Sequence, residues 1–218
     1  MSHRVELDAV RLERYSRQIL VSGFGGQGQH RLFQAHVVIT GTSEIAETIA
    51  LSLGRAGVGQ LYVSEAVAER LDNRYGPDTR VIPYATVLPS LTSPAVLVDT
   101  SLEHRTAPDC SLASGVRAPV LWARARGTTG LVGVWNPSAL RCTGWFFSFL
   151  PQNCPASPDE LFARHWVAYL ASALVLRHLS GRRDSMPSFL LGYDVVSGNV
   201  EALTPPETFH CDHCGDRH

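Results

Sequence analysis

The spacing of apolar residues changes period several times along the chain, and each change marks an element. Residues 8 to 22 read as a helix that carries Arg14, Tyr15, Arg17 and Gln18 and ends near Gly23. The stretch GFGGQGQ that follows reads as a Gly/Gln-rich turn. HVVITG is a short β-branched apolar run bounded by Gly41, the pattern of a buried strand. From 43 to 56, Ile45, Ile49, Leu53 and Ala56 recur at helical spacing, with Glu44 and Glu47 in the first turn and Gly57 at the stop. GQLYVSE then gives a second strand. Strand, helix and strand joined by Gly turns predict a βαβ unit, and therefore a parallel sheet.

Further short strands are predicted at TRVIPY, AVLVDT and APVLWAR, and an antiparallel extension around GLVGVW and GWFFSFL. Residues 158 to 180 form the longest predicted helix, apolar on nearly every side and so expected to be largely buried, with Pro158 in its first turn. FLLGYDVVSGNVEALT reads as a hairpin over a Ser-Gly-Asn turn. The predicted fold class is α/β: a Rossmann-like, mostly parallel sheet flanked by helices, with an antiparallel C-terminal extension. One domain is expected, made of a helical arm (1–34), a Rossmann-like core (35–135), and a segment with the long helix, hairpin and CxxC tail (136–218).

A formal net charge of -1 over 218 residues carries neither the basic footprint of a nucleic-acid binder nor that of a protein drawn to anionic membrane. The N-terminus is charged and lacks an apolar h-region, so the expected location is the cytoplasm. All 19 basic residues are arginine. Arg-favouring codons explain this, as does avoidance of self-modification by a system that acylates lysine. Under either explanation, no lysine is available for a Schiff base or for binding a phosphate. Five unevenly spaced cysteines do not make a secreted disulfide framework and direct attention to metal ligation or a reactive thiol.

The segment ERYSRQILVSGFGGQGQHRLFQAHVVITG, continuing to AGVGQLYV, resembles the opening of the ThiF/MoeB/HesA family of ubiquitin-activating-type adenylyltransferases. Its RYxRQ helix, GxxGQxxL turn, first strand and AGVG turn occur in family order. The APV strand, the long helix and the terminal CxxCG match the family's C-terminal end. The resemblance implies a dimer, paired with itself or with an active homologue. It also implies a ubiquitin-like or sulfur-carrier protein, or a precursor peptide, as partner.

Departures from the family pattern bear on chemistry. Where the family has a GxGGxG phosphate loop, this chain has Gly41-Thr42-Ser43-Glu44-Ile45-Ala46. Gly41 and Ser43 mark the degenerate site, and Glu44 puts a carboxylate where phosphates would lie. Repulsion between two such charges about 4 Å apart is on the order of 4 kcal/mol at surface-like dielectric. Glu65 matches the ribose-binding acid, Asn73 and Arg74 weakly echo the next segment, and the helix bearing a phosphate-binding lysine is expected to be missing. Leu102 stands where the family binds metal, after Asp99. No compensating cation is expected, so ATP and magnesium are not expected as cofactors.

Other family positions are kept. Arg14 and Arg17 match N-terminal arginines, one of which reaches a partner's nucleotide in trans; solvated helix arginines are the plainer reading. Cys142, Cys211 and Cys214, with His213 or His210, could form a structural zinc site, although Trp145 replaces the family's other upstream cysteine. Cys154 aligns with the family's acyl- or persulfide-carrying cysteine. The expected function is that of a non-catalytic or regulatory partner that binds a carrier tail or precursor peptide. The alternative is an active ATP-dependent adenylyltransferase.

Overall fold

The computed structural model describes residues 7–84, 95–101, 118–135, 149, 157–181 and 189–204. In chain order the elements are α1 (Ala9–Ile19), α2 (Gly25–Gln34), β1 (His36–Thr40), α3 (Glu44–Arg55), β2 (Gln60–Ser64), α4 (Glu65–Leu71), β3 (Arg80–Tyr84), β4 (Ala95–Asp99), β5 (Val120–Arg126), β6 (Thr129–Trp135), α5 (Glu160–Leu179), β7 (Phe189–Asp194) and β8 (Val200–Leu203). The strands form an eight-stranded sheet in the order β3-β2-β1-β4-β5-β6-β7-β8. Pairing is parallel from β3 through β5 and antiparallel from β5 to β8. The mixed α/β class, the βαβ unit, the GLVGVW strand of the antiparallel extension and the hairpin stand as predicted, while GWFFSFL, apart from Phe149, lies outside the described residues.

Each sheet face has its own core. One face collects Val37, Ile39 and Leu61 together with Ile45, Ile49 and Leu53 of α3, Val67 and Leu71 of α4, and Ala163, Val167, Ala171 and Val175 of α5. On the opposite face Val38, Leu97, Val120, Trp122, Leu131, Trp135 and Leu190 cluster, with Phe149 and Leu203 against them. Helix α5 lies close on β6: a Cβ at Gly130 would stand 2.7 Å from Val167 Cγ2. Trp166 stacks on Tyr193 of β7 with ring centroids 4.6 Å apart.

Three local expectations are corrected. Of the predicted Gly/Gln turn, residues from Gly25 onward are the first turn of α2, because Leu32 is buried in the core and its packing outweighs the low helix propensity of three glycines. A short helix, α4, also lies between β2 and β3, ahead of Asn73 and Arg74 and without a lysine; Ser64 caps it, its hydroxyl accepting from Val67 N, and left-handed Asp72 and Asn73 follow its end. Pro158 precedes α5, whose first residue is Glu160. Only one side of α5 is buried, while Leu161, Phe162 and Tyr169 are exposed. Composition gives a helix's hydrophobicity but not which face meets the sheet.

The motifs that carry the family resemblance meet in one structural clamp. Gln29 is fully buried, accepts a hydrogen bond from Gln18 and donates to Ala56 O at 3.0 Å; Gln18 donates to the same carbonyl at 2.9 Å. Tyr15 packs edge-on against Phe33 at 5.3 Å and donates to Asp78 at 3.0 Å. Gly57, at φ +87°, and Gly59 let the α3–β2 turn pass beneath: a Cβ on Gly59 would lie 2.0 Å from Phe33 O. That oxygen is backbone and cannot swing aside. Gly59→Ala is therefore expected to lower stability by about 1–3 kcal/mol or more, whereas Gly26→Ala, with open space around it, is neutral or stabilising. Urea unfolding of the two variants checks the contrast.

Candidate functional site

Strand order reverses between β1 and β4: the chain leaves β1 toward β2 and β3, and leaves β4 toward β5. In open α/β sheets the ligand crevice lies at such a switch point, outside the carboxyl ends of the strands. The residues placed there are Gly41 to Glu44 after β1, Ser64 and Glu65 after β2, and Asp99 to Ser101 after β4.

The loop after β1 is held by its own carbonyls. The Thr100 hydroxyl donates to Thr40 O at 2.6 Å, the Ser64 hydroxyl to Gly41 O at 3.1 Å, and Arg70 Nη2 to Thr42 O at 2.6 Å. Gly41, at φ +93°, permits this close approach, since a Cβ there would stand 2.5 Å from Thr100 Oγ1. Ser43 adopts the extended backbone of an N-cap, but its hydroxyl makes no capping bond, is buried, and has no partner among the described residues.

Charges around the loop are paired. Glu44 opens α3 with its side chain 62% exposed, and Arg164 of α5 lies 3.2 Å from its carboxylate. Arg164 also holds Glu160 at 2.6 Å. Glu47 bridges Arg70 and Arg74, each at 2.8 Å. Burial pushes the Glu47 carboxyl up, but hydrogen bonds from the two guanidiniums outweigh that and hold it below its ordinary range. The expectation of no compensating cation is corrected: Arg164 and Arg70 stand at the loop, each engaged by a carboxylate.

Beside the loop, Asp99 and Arg124 form a buried ion pair at 2.8 Å, with side chains 11% and 6% exposed. Asp99 also accepts from the Thr40 hydroxyl at 2.7 Å and from Ser101 N at 3.0 Å. Burial holds the Arg124 guanidinium below its ordinary range, and Asp99 offsets only part of that. The Tyr84 hydroxyl, pushed up to about 12 by burial and by Asp99, stays protonated and donates to Ile39 O at 3.1 Å.

Gly41 and Ser43 thus come together at the switch point. Glu65 stands beside them as the exposed first residue of α4, not as a strand end. Arg14 lies elsewhere, 2.6 Å from Asp78 in the segment entering β3, at the amino-end edge of the sheet. Cys142, Cys154, His210, Cys211, His213 and Cys214 lie outside the described residues, as does Leu102. Sequence reading missed Arg124, Arg70 and Arg164. Arg124 had a signal: an arginine inside an apolar strand, two positions from Trp122 and hence on its face, needs a buried partner.

No protein-family model matches the chain. It is similar to the vegetative HesA protein of Trichormus variabilis, 45% identical over 69 residues, which are 32% of this chain and 26% of that protein. It is similar also to the SAMP-activating enzyme E1 of Haloferax volcanii, 39% identical over 67 residues, 30% and 25% of the two chains. The matched segment therefore spans about a quarter of these relatives' length. Among solved structures, E. coli MccB with MccA superposes with a TM-score of 0.70 at 16% identity, covering 93% of this chain and 74% of that one. PaaA superposes at 0.67 and 15% identity, over 94% and 77%. These matches bear out the resemblance: about a third of the chain is similar to HesA and to an E1-type activating enzyme, and the chain has the fold of MccB and PaaA.

The buried pair yields a stability prediction. Arg124→Ala, which strands the Asp99 carboxylate, is expected to cost about 3–5 kcal/mol, while the double change Asp99→Leu with Arg124→Met recovers most of that loss. Chemical denaturation of the three proteins gives the comparison.

Proposed function

We propose that this chain is a non-catalytic ThiF/MoeB/HesA-like partner protein that holds the tail of a ubiquitin-like or sulfur-carrier protein, or a precursor peptide, at the carboxyl ends of its strands. The observation that carries this reading is the capped loop. With the carbonyls of Thr40, Gly41 and Thr42 bonded to Thr100, Ser64 and Arg70, the segment is fixed by neighbours in the fold. Glu44 adds a negative charge at the start of α3, where an anion would otherwise dock. The crystal structure of MccB with MccA supplies the precedent of a relative in fold that binds a partner. An arginine lent in trans by Arg14 belongs to the same reading and would require release from Asp78. A zinc at Cys142, Cys211, Cys214 and His213 or His210 would serve the tail as a structural staple, and a zinc content near zero in protein purified without chelator excludes it.

A second reading, an active adenylyltransferase, draws on Arg70 and Arg164. Freed from Glu47 and Glu44, their guanidiniums would offer two cations beside the loop. ATP–pyrophosphate exchange in the presence of candidate carriers separates the two. The proposal expects exchange at background; exchange that falls about tenfold or more in Arg70→Ala establishes the second reading instead.

A further inference from the structure

β7 runs parallel to β5, because each is antiparallel to β6, so its end at Asp194 lies on the same sheet edge as the switch point. Residues opposite one another across a ladder point to one face. One such row runs Arg124, Leu131, Gly192 and Glu201, and the next runs Arg126, Thr129 and Asp194. Both lie on the face that carries the Asp99–Arg124 pair.

A cavity of about 250 Å³ opens on these rows, lined by Leu131, Phe149, Gly192, Asp194, Glu201 and Leu203 among others. Gly192 forms its floor: a Cβ there would come within 3.1 Å of Leu203 Cδ1 and 3.5 Å of Leu131 Cδ2. The volume falls below the roughly 300 Å³ at which small-molecule pockets begin, so it suits one side chain and not a nucleotide. Leu131, Phe149 and Leu203 give it an apolar side, and Thr129, Ser197, Asn199, Asp194 and Glu201 a polar one that carries two carboxylates. Asp194 is fixed in place, accepting from Ser197 N at 2.8 Å, the Ser197 hydroxyl at 2.9 Å and the Thr128 hydroxyl at 2.8 Å. Those bonds, with a further one from the Val196 backbone, hold its carboxyl below the ordinary range, so Asp194 stays charged beside the cavity. Glu201 is exposed at the rim and makes no ion pair among the described residues. Arg126 stands two strands from Asp194, roughly 10 Å away at ordinary strand spacing.

We infer that this cavity is a specificity pocket for a basic side chain, arginine or lysine, of the peptide or tail the protein holds. A cavity with Leu131, Phe149 and Leu203 on one side and two carboxylates on the other takes an aliphatic stem along the first and its charged head at the second. Neutral and acidic side chains leave the carboxylates uncompensated. The inference gives a recognition element to the tail-binding reading and rests on it for the identity of the ligand.

The test uses small probes, so that its outcome does not depend on whether any carrier or peptide binds. Amide resonances of the full chain are followed by NMR during titration with arginine amide and with its neutral isostere citrulline amide. Arginine amide should shift Gly192, Asp194, Ser197 and Glu201, with citrulline amide binding about tenfold more weakly. Glu201→Gln, at an exposed position, should weaken arginine amide about tenfold as well, and added salt should reduce the difference between the probes. Equal binding of the two probes, an unchanged affinity in Glu201→Gln, or no shift at these residues would each overturn the assignment. Failure of carrier or peptide binding with this titration intact would instead refute only the tail-binding reading.

Discussion

Three backbone carbonyls at the end of β1 organise the crevice of this protein. A loop that binds phosphate must keep its N–H groups convergent and its carbonyls out of the way, which glycines allow at little steric cost. Here the carbonyls of Thr40, Gly41 and Thr42 accept from a threonine at the end of β4, a serine at the end of β2 and an arginine on α4. The loop thereby ties three elements together. Gly41 meets two constraints there, a left-handed backbone and close contact with Thr100, and neither involves a ligand.

The same economy of charge extends below the loop. Desolvating a carboxylate and a guanidinium costs several kcal/mol per ion, and Asp99 recovers this only through Arg124, the Thr40 hydroxyl and Ser101 together. An aspartate at the end of β4 that faced an open crevice would be available to a metal; this one is committed. Arg164 and Arg70 are spent in like manner on Glu44, Glu160 and Glu47. Cations are present at the site, but the fold already uses them.

Much of this architecture was legible in the sequence because hydrophobic period and glycine punctuation report directly on β1, α3, β2 and the β7–β8 hairpin. The family motifs were legible too, but they proved to describe the clamp of Tyr15, Gln18, Gln29 and Gly57, remote from the crevice. Long-range pairing was not legible. Arg124 meets Asp99 and Arg164 meets Glu44 across 25 and 120 residues, and no local pattern encodes such a partner. The start of α2 was missed because burial of Leu32 outweighed the propensity of its glycines. The exposed side of α5 was missed because an all-apolar helix gives no stripe to orient it.

If the capped loop and its paired charges close the phosphate site, the intact chain has no favourable place for a triphosphate. Isothermal titration with ATP and magnesium measures this without reference to any partner. The account predicts no heat of binding at millimolar nucleotide. A one-to-one complex with micromolar Kd would contradict it, and would mean that the carbonyl contacts of residues 40 to 42 yield to a nucleotide.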